Sequence, residues 1–185
     1  MKAFNQNSAN VSLGKRQVEG KQLEGQLKRV LLWDRNSPEP GLKQLARRFA
    51  EFQRKKNPTV PEYAILKKTF HDQRANDLTQ AIISFFTVIG GMAERINNMG
   101  RQVNRKGSTL WIVGTGTNGT ADISSVWEGL TIKVEVKAGN DRQSEAQKAY
   151  QEKIRKAGGI YILARSFDGF LIEFFKAVEG LRDGA

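Results

Sequence analysis

The stretch Leu130-Thr131-Ile132-Lys133-Val134-Glu135-Val136-Lys137 decides the fold. It alternates strictly, so a strand sends Ile132, Val134 and Val136 to one face and Lys133, Glu135 and Lys137 to the other. The apolar face marks a core. The charged face by itself is what any solvent-facing strand shows. Immediately upstream, Ala121 to Val126 reads as a second strand, joined to the first at Glu128-Gly129. A two-residue or four-residue loop there sets Ile123 opposite Val134 on the core side. On the other side it sets Asp122 opposite Glu135, with Cβ atoms ~4.5–5.5 Å apart. A three-residue loop with a bulge would slip this register. Two carboxylates placed directly opposite destabilise a strand pair unless a cation sits between them, and a hard divalent ion with oxygen ligands suits the position. Lys137 falls one pleat along on the same face, where it can hold a phosphate or orient a water. This arrangement suits phosphodiester hydrolysis. The residues alone equally describe an exposed hairpin with ordinary surface charges.

Working outward, Ser144 to Ala157 reads as a helix with Ala146, Ala149, Tyr150 and Ile154 on one face, and Gly158-Gly159 beyond its end. Ser144-x-x-Gln147 at its start matches a capping box. Ile160 to Ala164 is a continuous apolar strand. Phe167 to Val178 reads as a helix, although Phe170 to Phe175 could instead extend a strand. Upstream, Leu78 to Ile89 is apolar nearly all round, with Asn76-Asp77 as N-cap and Gly90-Gly91 as terminator. Ala93 to Met99 is expected as a further helical stretch or turn, and Leu110 to Val113 as a short strand. The order implies an α/β domain around a mixed sheet.

The chain has 185 residues, 39% of them apolar, with no cysteine and a single histidine, His71. Disulfides, thiolate zinc sites and multi-histidine metal sites are thereby excluded. The N-terminal residues are polar, and the longest apolar run, Ala81 to Met92, is too short to span a bilayer. The reading is a soluble protein of a reducing, intracellular compartment, without a membrane partner. The formal net charge is +11, which favours a polyanionic partner, nucleic acid first. Residues 1–75 carry 16 Lys/Arg against 7 Asp/Glu, and residues 76–185 carry 14 against 12. The excess therefore lies in a basic N-terminal extension, residues 1–75, with an amphipathic helix at about 40–56 ended by Asn57-Pro58. It reads as a solubilising arm or as one that grips a nucleic-acid strand.

Gly119-Thr120-Ala121-Asp122, then Val134-Glu135-Val136-Lys137, then Gln143-Ser144-Glu145-Ala146-Gln147 resembles the core of the PD-(D/E)XK nucleases. More narrowly it resembles the VRR-NUC branch, including stand-alone forms carried by phages and prophages. The resemblance covers roughly residues 76–175. It implies a restriction-endonuclease-like fold, with a mixed central sheet flanked by helices. It implies Mg²⁺ or Mn²⁺ held by Asp122, Glu135 and the Val136 carbonyl, Lys137 at the reacting phosphate, and Gln147 as a supporting polar residue. The implied activity is that of a metal-dependent endodeoxyribonuclease, with selectivity for branched or junction DNA, akin to the homodimeric Holliday-junction resolvases. Many members carry a glutamate early in the helix before the sheet. Here that region reads Asn76-Asp77-Leu78-Thr79-Gln80, leaving Asp77 or Gln80 as substitutes, with Glu94 beyond the glycine break a poorer one.

Arg95, Asn98 and Arg101 beside a glycine turn, and Arg142, Gln143 and Ser144 at the start of a helix, are candidate nucleic-acid contacts. The first group fits a helix C-terminus as well as a strand contact. Gly114-Thr115-Gly116-Thr117-Asn118-Gly119 matches a dinucleotide fingerprint, but a strand follows it where that motif requires a helix. A turn that lets backbone approach DNA is the better reading. Trp111, Trp127 and Phe85 are expected in core or hairpin packing. Two other functions compete with the nuclease: a non-catalytic DNA-binding module that keeps the fold, and a nucleotide-dependent enzyme built on the glycine loop.

Overall fold

The computed structural model describes residues 33, 38–96, 101–105, 107–112 and 117–180, without side-chain detail at 101–103, 105 and 110–112. Its helices are α1 (Gly41–Lys56), α2 (Ala75–Val88), α3 (Glu145–Lys156) and α4 (Phe167–Gly180). Its strands are β1 (Met92–Arg95), β2 (Arg101–Arg105), β3 (Ser108–Ile112), β4 (Ile123–Trp127), β5 (Leu130–Val136) and β6 (Ile160–Ala164). A four-stranded mixed sheet has the order β1-β4-β5-β6, and β2 pairs with β3 separately. Among the described residues no helix is long and apolar enough to cross a membrane.

Glu128 and Gly129 both take left-handed φ, 52° and 74°. That is the signature of a two-residue hairpin turn whose twist matches the strands it joins. The antiparallel register that follows pairs Ile123 with Val134 and Trp127 with Leu130. β5 and β6 then run parallel through the α3 crossover, with Val134 beside Ile162.

One face of the sheet is core. Ile123, Trp127, Ile132, Val134 and Ile162 are buried on it beneath α2 and α4. The Phe174 ring packs edge-on against Phe85 and Trp127, with centroids 5.2 and 5.5 Å away. Helix α1 lies on α2 and α4. It buries Leu45 and Phe49, and the Asp168 carboxylate accepts the Gly41 N–H at 3.0 Å. A Cβ at Gly41 would come within 2.3 Å of that carboxylate oxygen, so only glycine admits the contact. Asp72 likewise accepts the Phe167 N–H at the start of α4, at 2.9 Å.

Several boundaries differ from the sequence reading. The compact unit runs Glu39–Ala185, so α1 belongs to the body, and the break expected after residue 75 falls after Pro38. Lys43, Arg47 and Arg54 to Lys56 form its outer face, Arg48 is half-buried, and its apolar stripe is tied down. Ala93 begins no helix: Met92–Arg95 is an edge strand paired with β4, Met92 against Val126 and Arg95 against Ile123. The polar, glycine-bounded segment carries helix formers, but the open edge of β4 captures it. Asn76-Asp77 is not the N-cap, because α2 starts at Ala75 after Arg74. Phe170 to Phe175 is helix, and its aromatic residues fill the layer above the sheet. Of the strand expected at Leu110 to Val113, Leu110 to Ile112 belong to β3 and Val113 lies outside the described residues; the partner β2 is an addition.

Phe174 touches both α2 and the sheet, so Phe174→Ala should lower unfolding free energy by about 3–5 kcal/mol. Urea unfolding followed by circular dichroism measures this, and a loss below about 1 kcal/mol would contradict the central place given to this ring.

Candidate active site

The register that pairs Ile123 with Val134 carries Asp122 and Glu135 to the face away from the core. Asp122 is anchored there because its Oδ2 accepts the Val136 N–H at 2.8 Å. Glu135 is not the solvent-facing charge that strand alternation suggests. Helix α3 lies over this part of the sheet, and the Glu135 side chain is only 2% exposed.

The Gln147 amide donates to Glu135 Oε1 in a short hydrogen bond. The same side chain accepts the Ser144 N–H through its own Oε1 at 2.9 Å, while Ser144 Oγ accepts the Gln147 N–H at 3.3 Å. The capping box and the contact with the site therefore coexist in one residue. Lys137 Nζ lies 3.1 Å from Glu135 Oε1 and 3.2 Å from Asp141 Oδ2. Glu135 Oε2 is buried and accepts no hydrogen bond.

Burial, reinforced by the negative charge of Asp122, pushes the Glu135 carboxyl up to about 7 against the opposing pull of Lys137. Burial also works to lower the Lys137 pKa, but its bonds to Glu135 and Asp141 outweigh that and hold it above its ordinary value. Tyr161, beneath α3, is raised by burial and then by the Glu135 charge. Its hydroxyl accepts from the Gln143 amide at 3.5 Å, and Gln143 also donates to Gln151 at 2.9 Å.

The loop before Asp122 is fitted to the helix that carries Gln147. Gly119 has φ 80°, and a Cβ there would lie 2.2 Å from the Ala146 carbonyl oxygen and 2.7 Å from the Gln147 nitrogen. The close approach that glycine allows is thus to the first turn of α3, where the sequence reading had supposed DNA. After β5, Arg165 bonds the carbonyls of Gly139 and Asp141 at 2.9 and 2.8 Å and holds the loop that presents Asp141 to Lys137.

The structure brings together Asp122, Glu135, Lys137 and Gln147, with Val136 between the two charged strand residues. Asp77 and Gln80 make no hydrogen bond or ion pair with them, and no group of three His, Cys, Asp or Glu suited to a metal occurs among the described residues. Glu94 on β1 pairs with Ser124 on β4 and so shares the Asp122 face. Arg95 is exposed but pairs with Ile123, so it alternates to the opposite face. Arg142 is exposed, Gln143 points inward to Gln151 and Tyr161, and the Ser144 hydroxyl is engaged as a cap. Asn98 lies outside the described residues, as does the Arg101 side chain. Of the aromatic residues, Trp127 and Phe85 are buried, and the Trp111 side chain is outside the description. Asp141 and Tyr161 were missed. Asp141 sits in an aperiodic loop and Tyr161 inside an apolar run, and neither position signals a contact with Glu135 or Lys137.

Comparison with protein-family models, with curated proteins and with solved structures returns no match.

Two outcomes follow. Gly119→Ala should move the loop off α3 and cost more than about 1 kcal/mol of stability. Urea unfolding checks this, and unchanged stability would contradict the fitted approach. Glu135 holds its proton more tightly when folded than at its ordinary value of 4.5. Its contribution to stability is therefore full below about pH 4.5 and is lost as pH rises through about 7. Unfolding in chelator should show that decline, and Glu135→Gln should flatten it. Equal slopes for the two proteins would contradict the burial.

Proposed function

We propose that this chain is a Mg²⁺- or Mn²⁺-dependent DNA nuclease of the PD-(D/E)XK superfamily, VRR-NUC branch, with a restriction-endonuclease-like core. The observation that carries the reading is the buried, unpartnered Glu135 Oε2 opposite Asp122. A carboxylate oxygen removed from water without a hydrogen bond is costly, and a second carboxylate nearby adds to the cost. A hard divalent cation relieves both, so the residues fit such an ion.

Asp122, Glu135 and the Val136 carbonyl would hold the ion, which supplies Lewis-acid stabilisation of charge developing on a phosphodiester's oxygens. The chain's own residues do the rest. Gln147 engages Glu135 Oε1, which fixes the carboxylate so that Oε2 is the free oxygen. The Val136 N–H does the same for Asp122. Lys137 stays cationic through its two carboxylate partners, and its ammonium can neutralise a phosphate oxygen or orient the attacking water. The net charge of +11 supports a polyanionic substrate.

A DNA-binding module without catalysis is the second reading, favoured by the absence of a third acidic residue grouped with the pair among the described residues. Incubating the protein with branched and linear DNAs, with magnesium and with chelator, separates the two. Magnesium-dependent cleavage supports the nuclease. Binding in calcium with no cleavage in magnesium or manganese selects the module. Glu135→Ala and Lys137→Ala should each lower the cleavage rate at least ~10²–10³-fold with the circular dichroism spectrum retained. Full activity in either variant would sink the mechanism.

A further inference from the structure

The face that carries Asp122 and Glu135 is only partly covered. Helix α3 lies over the β5 and β6 side, where Gln147 meets Glu135 and Tyr150 packs edge-on against Tyr161 with centroids 6.4 Å apart. Towards the other edge, Met92 and Val126 pair directly and remain 63% and 48% exposed, and Thr131 is exposed beside them. Between that open shelf and the carboxylate pair runs the row Glu94, Ser124 and Lys133, with Glu94 exposed on the edge strand and Lys133 on the strand of Glu135.

The two lysines on either side of Glu135, Lys133 within β5 and Lys137 just past its end, are in different electrostatic states. The Lys137 charge is matched by Glu135 and Asp141. Lys133 is half-buried, and its ammonium donates at 2.6 Å to the Ser124 hydroxyl, a neutral partner. Among the described residues no carboxylate lies within ion-pair distance of it. An ammonium carries three donors, so one hydroxyl leaves two of them and the whole charge unmatched.

Lys133 also lies two residues from Glu135 along an extended strand, about 6.6 Å. That is close to the spacing of successive phosphates along one nucleic-acid strand. Ser124, cross-strand from Lys133, holds the ammonium by its hydroxyl and steers it over the open side.

We propose that Lys133, positioned by Ser124, is an anion subsite for the phosphodiester next to the one being cut, on the same strand. The substrate strand then runs along β5 from the carboxylate pair towards Val126 and Met92. This inference rests on the nuclease reading, because it takes the carboxylate pair as the place of the scissile phosphate. Lys133 reads charge and backbone spacing, so it contributes affinity and register with no base preference.

Binding in a non-cleaving Glu135→Gln background tests it, using fluorescence anisotropy with labelled DNA across a range of salt. Adding Lys133→Gln should weaken binding about tenfold and make the log–log salt dependence shallower by about one counterion. Lys133→Arg should keep the slope, which separates lost charge from a disturbed hairpin. A single methylphosphonate, moved one position at a time past the cleavage site, removes one phosphate charge. At the neighbouring position it should weaken the protein that retains Lys133 and have no further effect on the Lys133→Gln variant. An unchanged slope, or equal methylphosphonate losses in both proteins, overturns the subsite while leaving the nuclease reading intact. No binding of any DNA overturns both.

Discussion

The register of one hairpin organises this molecule. With Glu128 and Gly129 both left-handed, the connection spans two residues, and Ile123 must face Val134. A slip of one residue would turn Ile132, Val134 and Val136 out of the core and bury Lys133 and Lys137 under α2 and α4. The same register puts Asp122 across from Glu135. The cost of that like-charge pair is borne by the hydrophobic burial that fixes the strands, because the two effects act on opposite faces of the same strands.

Helix α3 changes the chemistry of the second face. A carboxylate on an exposed strand has an ordinary pKa and its full complement of water. Covering Glu135 with α3 takes away the water, and Gln147 and Lys137 make up the loss on one oxygen only. The other oxygen is left buried without a hydrogen bond. Gln147 links this to the start of the helix, since the amide that caps α3 also holds Glu135. Gly119 and Arg165 act on either side, one letting the Asp122 loop press against α3 and the other fastening the loop that carries Asp141.

Much of this was legible in the chain because it depends on local pattern. Alternation in β5 and the Glu128-Gly129 turn are enough to place Asp122 opposite Glu135, and Ser144-x-x-Gln147 announces the cap. What could not be read depends on contacts between distant segments. Nothing in the sequence around Glu94 says strand, since β1 exists by pairing with β4. The burial of Glu135 comes from a helix ten residues further on, and alternation alone suggests solvent. The basic helix α1 looks like part of an appendage until the Asp168 contact with Gly41 is seen. Asp141 and Tyr161 sit where no periodicity points at the site, and only the folded loop and the parallel pairing of β6 bring them to it.

The account turns on a divalent ion at Asp122 and Glu135, and Mn²⁺ binding followed by electron paramagnetic resonance tests this without reference to catalysis. The wild-type chain should remove free Mn²⁺ from solution in proportion to protein, and Glu135→Gln and Asp122→Asn should each lose that uptake while remaining folded. Equal uptake by all three proteins would contradict the account, as would none by the wild type.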